Sequence, residues 1–250
     1  MSFRTLPFGL LSILRFKWLG IFAVISTDLG GNMSTSQTRL PDTELCNAAV
    51  EYARTVSAPF LFHHVMRSAI LADSIGRKRG MRYDRELLCV SAVLHDLGLT
   101  TIAPVQMRFE IEGADLAKDF LARKGMSEHH VEIVWDAIAL HTTAEIPSRK
   151  CTEVALCQMG IAADLGIAPP DAVSDETIDE ALAAYPWLDI HESLLTTLVG
   201  LYQKNPKAAS SNAVAEACER RVPGFKRSNL CDRLIDRNAR HLASATPETT

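Results

Sequence analysis

The chain has no long hydrophobic run. Its most apolar stretches, residues 6–14 and 18–25, are separated by Arg15 and Lys17. Neither approaches the roughly 18 to 20 apolar residues that a bilayer-spanning helix needs, so no stable membrane insertion is expected. An excess of positive charge is also missing. The 26 Lys and Arg are outnumbered by 30 Asp and Glu, for a formal net charge of −4, which argues against a nucleic-acid partner. The densest basic stretch, residues 220–240, is interleaved with Asp232 and Asp236 and reads as a solvated helical face. The cysteines Cys46, Cys89, Cys151, Cys157, Cys218 and Cys231 form no Cys-x-x-Cys pair. Cys89, Cys157 and Cys218 lie inside apolar helical patterns, where a free thiol behaves as a small hydrophobe, so reduced thiols in a cytoplasmic protein are expected. There is no glycine-rich phosphate loop and no Gly-x-Ser-x-Gly elbow, which removes the common nucleotide-cradle and serine-hydrolase readings. No strand pattern, internal repeat or low-complexity tract is present.

What is there is helix. At 250 residues, 47% apolar and 22% charged, the chain is long enough for one domain with a sizeable core. Apolar residues recur at helical spacing almost throughout. Asp42 or Thr43 caps a helix running to about Val56. Pro59 opens one that ends near Gly80, and Asp84 caps one that ends at Gly98. Further helices are expected from about Gly113 to Gly125, from Ser127 to His141, from Thr152 to Gly166, and from Ser174. Two or three more follow, with breaks at Tyr185-Pro186 and at Val222-Pro223-Gly224. The expectation is an all-α, single-domain bundle over residues 42–240, with a frayed tail over 241–250. Residues 1–32 read as an apolar extension. Either translation starts at Met33, or the segment is a targeting sequence or a surface-lying helix.

Charged residues sit where charge is costly. His64 lies in Phe62-His63-His64-Val65-Met66. His95-Asp96 closes the apolar run that begins at Leu87, and Asp164 sits in Ala162-Ala163-Asp164-Leu165. An unpaired charge among such neighbours is expensive. Two imidazoles and two carboxylates from three helices make a mixed N/O donor set suited to zinc, iron, manganese or cobalt. His95 alone could be a helix-terminal histidine at the negative end of the dipole, but Asp96 is disfavoured there unless a cation is bound. Asp164 is either paired with an arginine or bound to a metal. Arg67, one turn from His64, either pairs with a carboxylate or contacts substrate. His141 ends its helix in His141-Thr142-Thr143. Glu110 and Glu112 precede Gly113-Ala114.

These pieces, in this order, resemble the HD superfamily of metal-dependent hydrolases, and within it the cyanamide hydratase-like branch. The resemblance is carried by Ser57-Ala58-Pro59-Phe60-Leu61-Phe62-His63-His64, Asp84-Arg85-Glu86-Leu87-Leu88, Leu94-His95-Asp96-Leu97-Gly98-Leu99-Thr100, Arg108-Phe109-Glu110-Ile111-Glu112-Gly113-Ala114, Trp135-Asp136-Ala137-Ile138-Ala139-Leu140-His141-Thr142-Thr143 and Pro223-Gly224-Phe225-Lys226-Arg227. It covers roughly residues 45–236. It implies His64, His95, Asp96 and Asp164 as ligands of one divalent metal, zinc first. His64 is chosen over His63 because the family places its ligand before x-x-Arg. Some HD oxygenases and phosphodiesterases carry an extra histidine near Glu110 and Glu112 that binds a second metal. Here no histidine lies between Asp96 and His129, which argues for a single ion.

The resemblance implies an enzyme in which metal-bound hydroxide, available once the ion lowers the pKa of its water to about 7, adds to the nitrile of cyanamide to give urea. Asp96, His141 and Glu112 are its expected catalytic residues, the last two as proton donors. A small, closed pocket lined by Phe62, Phe109 and Trp135 is expected, with a small-molecule substrate. Homo-oligomers through apolar helical faces are a family habit, although no such face stands out here. Two other readings stay open. One is a phosphohydrolase acting on a nucleotide or phosphate ester. The other is a non-catalytic helical protein with a structural metal.

Overall fold

The computed structural model describes residues 40–235, apart from 211, 228 and 233. The apolar extension over residues 1–32 and the tail over 241–250 lie outside the described residues. Among the described residues there is no strand, so the all-helical expectation holds.

Local chemistry fixes most helix starts. The Thr43 hydroxyl accepts from the Cys46 N–H at the head of α1 (Glu44–Val56). Pro59 takes the first position of α2 (Pro59–Lys78), where a missing N–H has no cost. Asp84 accepts from the Glu86 and Leu87 N–H groups to cap α3 (Arg85–Leu94). After the short 3-10 turn Leu97–Leu99 come α4 (Phe109–Arg123), α5 (Glu128–Leu140), capped by Ser127, and α6 (Thr152–Asp164). Then follow α7 (Asp175–Ala184), capped by Ser174, α8 (Ile190–Lys204), and α9 (Ala213–Arg221), capped by Asn212.

Two boundaries differ from expectation, for one reason. α3 stops at Leu94 rather than Gly98, and α4 begins at Phe109 rather than Gly113. The two glycines are contact points, not helix ends. A Cβ on Gly98 would lie 1.9 Å from the Phe109 carbonyl oxygen, and one on Gly113 would lie 2.9 Å from the Gly98 nitrogen. The turn after α3 therefore packs directly on the first turns of α4.

α2 and α6 form the spine and run antiparallel. His64 meets Asp164, Gly160 meets Ser68 and Ala72, and Gly76 meets Leu156. These positions recur every four residues on each helix, so one face of α2 lies along one face of α6. The main core gathers around them, with buried apolar residues from α1 to α7. A second cluster joins Leu61, Leu99 and Phe109 to Leu198 and Leu201 of α8 and to Val214, Ala215 and Cys218 of α9. No helix among the described residues is long and apolar enough to cross a membrane.

Candidate metal centre

The site lies between the two clusters. His64 comes from the first half of α2. His95 is the C-terminal cap of α3, and Asp96 follows it outside the helix at φ −103° and ψ 19°. All three are buried, at 1%, 0% and 4% exposure. One ligand atom from each falls within 4.8 Å of the other two. The Nε2 atoms of His64 and His95 are 3.3 Å apart. Asp96 Oδ2 is 3.2 Å from His95 Nε2 and 3.6 Å from His64 Nε2. Its other oxygen, Oδ1, is 3.7 Å from His141 Nε2.

The partners of each ring decide where its lone pair points. His64 Nδ1 lies 2.6 Å from Asp164 Oδ2, and a carboxylate only accepts, so this nitrogen is the donor. His95 Nδ1 donates to the Ala92 carbonyl at 2.7 Å, and His141 Nδ1 donates to the Ile138 carbonyl at 2.6 Å. Each Nε2 of a neutral ring is then left as an acceptor. Two nitrogen lone pairs 3.3 Å apart beside a carboxylate repel unless a proton or a metal cation lies among them. The donor set thus fits a divalent ion, with each ring oriented by a second hydrogen bond as metal-bound histidines usually are.

The charges respond to this crowding. Burial would raise the Asp96 pKa, but the charge and hydrogen bond of His95, with His64 and His141 behind them, hold it well below the usual carboxylate range. Burial lowers His95, yet Asp96 beside it carries the balance upward. His141 is pushed down to about 4, by burial first and by His95 next, so it is neutral near pH 7.

Asp164 stands one shell back. Its Oδ1 accepts from Arg67 Nε at 2.6 Å, and its Oδ2 accepts from Arg67 Nη2 at 2.9 Å as well as from His64. Burial raises the Asp164 pKa, but the hydrogen bonds from His64 and Arg67 outweigh that and lower it. Asp164, expected as the fourth ligand, is paired with Arg67 and holds the His64 ring, and it is not among the three residues whose ligand atoms converge. Arg67 is turned away from the cluster, and its Nη1 donates to the Tyr185 and Pro186 carbonyls at 3.0 and 3.1 Å. His63 points elsewhere too, with Nδ1 2.9 Å from the Pro186 carbonyl.

Glu112, expected as a proton donor, is not brought to the cluster. Its carboxylate accepts the N–H groups of Val105, Gln106 and Met107, pinning the loop before α4. Glu110, its neighbour, does reach the site's edge. It is fully buried and accepts from Thr142 Oγ1 at 2.6 Å and Arg108 Nη2 at 2.8 Å.

The triad and His141 open onto a cavity of about 300 Å³. Its walls include Leu99, Phe109, Ile161 and Leu165, and α8 and α9 close it with Leu194, Leu198 and Ala213. Thr142, Thr143 and Gln158 supply further polar lining. Among the described residues, no lysine or arginine lines it. Of the three aromatics expected there, only Phe109 lines it. Phe62 is in the main core, and the Trp135 indole donates to Asp115 on the surface side. Gln158 and the α8 leucines were not singled out from the sequence. Gln158 sits six residues before Asp164 on an apolar helix, and that was the available signal.

The HD domain family model matches residues 61–182. The chain therefore carries an HD domain, and HD domains are in general metal-dependent hydrolases. The matched stretch holds His64, His95, Asp96, His141 and Asp164 and ends before α8. No curated protein matches the chain.

Proposed function

We propose that the chain is a metal-dependent HD hydratase that adds water to a small neutral nitrile, with cyanamide to urea as the reaction suggested by its resemblance. The observation that carries a metal-dependent reading is the facing pair of His64 and His95 Nε2 atoms, 3.3 Å apart beside Asp96 with both Nδ1 atoms engaged elsewhere. His64, His95 and Asp96 would hold one divalent ion, zinc first, with iron, manganese or cobalt suited to the same donors. Such an ion would supply a nucleophile from water near neutral pH. Asp164, held by Arg67, keeps the His64 ring in register. His141, neutral with a free Nε2, takes the proton that water releases on adding to the nitrile carbon and returns it to the nitrile nitrogen. Tautomerisation then gives urea. Asp96 links the two parts of the site, with Oδ2 toward the histidine pair and Oδ1 toward His141.

A phosphate ester fits less well. Its charge calls for cationic groups in the site. Arg67 is committed to Asp164 and two carbonyls, and Arg108 to Glu110. The test is urea production from cyanamide by zinc-loaded protein, beside His95→Ala and Asp96→Ala. Urea that depends on metal and vanishes in both variants is the expected result. Metal bound without urea, and release of phosphate from nucleoside monophosphates, would sink the nitrile reading. Loss of the helical fold on chelation would instead mark the ion as structural.

A further inference from the structure

The cavity is larger and more apolar than cyanamide requires. A water molecule takes about 30 Å³ of liquid, so 300 Å³ holds on the order of ten, whereas cyanamide has three non-hydrogen atoms. Outside the polar cluster the walls are mostly apolar, with Leu99, Phe109, Ile161, Leu165, Leu194 and Leu198 among them and Thr142, Thr143 and Gln158 as the polar exceptions. The cavity's far side is built by α8 and α9, which lie beyond the stretch matched by the HD family. Resting on the reading of the cluster as a metal centre, we propose that the substrate carries an apolar group of several carbons. That group would be seated against Leu194 and Leu198, with the reacting polar group at His64, His95 and Asp96.

The test uses binding rather than turnover. Unbranched alkyl hydroxamates pair a metal-binding head with a tail of adjustable length. Acetohydroxamate, butyrohydroxamate, hexanohydroxamate and decanohydroxamate are titrated calorimetrically into the zinc-loaded chain. Each methylene that enters the cavity should tighten binding about fourfold, and the gain should stop once the chamber is full. Leu194→Gln, a change at a half-buried position, should flatten the series, with zinc content and helical circular dichroism as controls on the fold. Equal affinities across the series in the unaltered protein would overturn the proposal. So would a steep series that Leu194→Gln leaves unchanged, or no hydroxamate binding at all. A steep series without urea from cyanamide supports the apolar seat while removing the cyanamide reaction. Urea with a flat series does the reverse.

Discussion

The floor and the roof of the cavity are built on opposite principles. The floor comes from α2, α3, α5 and α6. Its polar side chains are buried and crowded, and His64, Asp164 and Arg67 hold one another. The roof comes from α8 and α9. It is apolar, more exposed, and held by a smaller cluster of leucine, valine and alanine. The floor lies within the HD stretch and the roof outside it. Chemistry needs atoms placed to a fraction of an ångström, which takes rigid helices and second hydrogen bonds. Selection among small neutral molecules needs only shape and apolar area, which a looser layer supplies. On this view, the floor sets the reaction and the roof sets the substrate.

The sharpest break is at Asp96. Removing its carboxylate takes away the one anion in the triad and the link to His141. Asp96→Ala is expected to lower bound zinc from about one ion per chain, the number a single donor cluster of this kind holds, to near zero. Helical circular dichroism should persist. Zinc retained at the original affinity would show that the cluster is not a metal centre. Leu198→Ala in the roof should leave zinc content alone.

Next in size is a matched pair of ion pairs. In the floor, Arg67 and Asp164 have side chains 1% and 3% exposed. In the roof, Arg221 and Glu192 are paired at 2.6 Å with side chains 45% and 53% exposed. Arg67→Met leaves Asp164 buried without its cation and should cost about 3–5 kcal/mol in chemical denaturation. It should also weaken zinc binding about 10- to 100-fold, because the His64 ring loses its fixed partner. Arg221→Met should cost about 1 kcal/mol or less. Equal costs at the two sites would mean that burial does not separate floor from roof as described.

Much of the floor was legible in sequence, because buried charge is conspicuous. His64, His95 and Asp96 stand out among apolar neighbours, and the structure brings them together. His95 and His141 even share a local pattern, each capping its helix with Nδ1 bonded to the carbonyl three residues back. What sequence could not assign was the partner of each carboxylate. Asp164 faces Arg67 across two helices, a contact 97 positions apart. Glu112 turns back on the loop just before it instead of toward the site. In both cases the sequence marked the residue but not its direction, which is a property of packing. The roof was the least legible part. Leucines at helical spacing on α8 look like any core face, and only the fold shows that some of them line a chamber. The helix ends at Gly98 and Gly113 were misplaced because a glycine that permits close approach looks, in sequence, like a glycine that ends a helix.

The smallest effect separates the two layers by sign. Gly160 and Gly200 are both mid-helix glycines, and propensity alone would favour alanine at each by about 0.5–1 kcal/mol. In the floor, a Cβ on Gly160 would lie 2.4 Å from the Ser68 carbonyl oxygen and 2.6 Å from Ala72 Cβ. Backbone cannot rotate aside as a side chain can, so α2 and α6 must separate. Overpacking of this kind costs about 1–3 kcal/mol, which outweighs the propensity gain. Separation also draws His64 from Asp164, one turn along the same two faces, so zinc affinity should fall with stability. In the roof, a Cβ on Gly200 meets nothing within 4 Å. Gly200→Ala should therefore raise the denaturation midpoint slightly and leave zinc affinity unchanged. Thermal melts and zinc competition on the two variants read both quantities. A Gly160→Ala protein as stable as the original would mean that the α2–α6 contact is not what holds the floor in place.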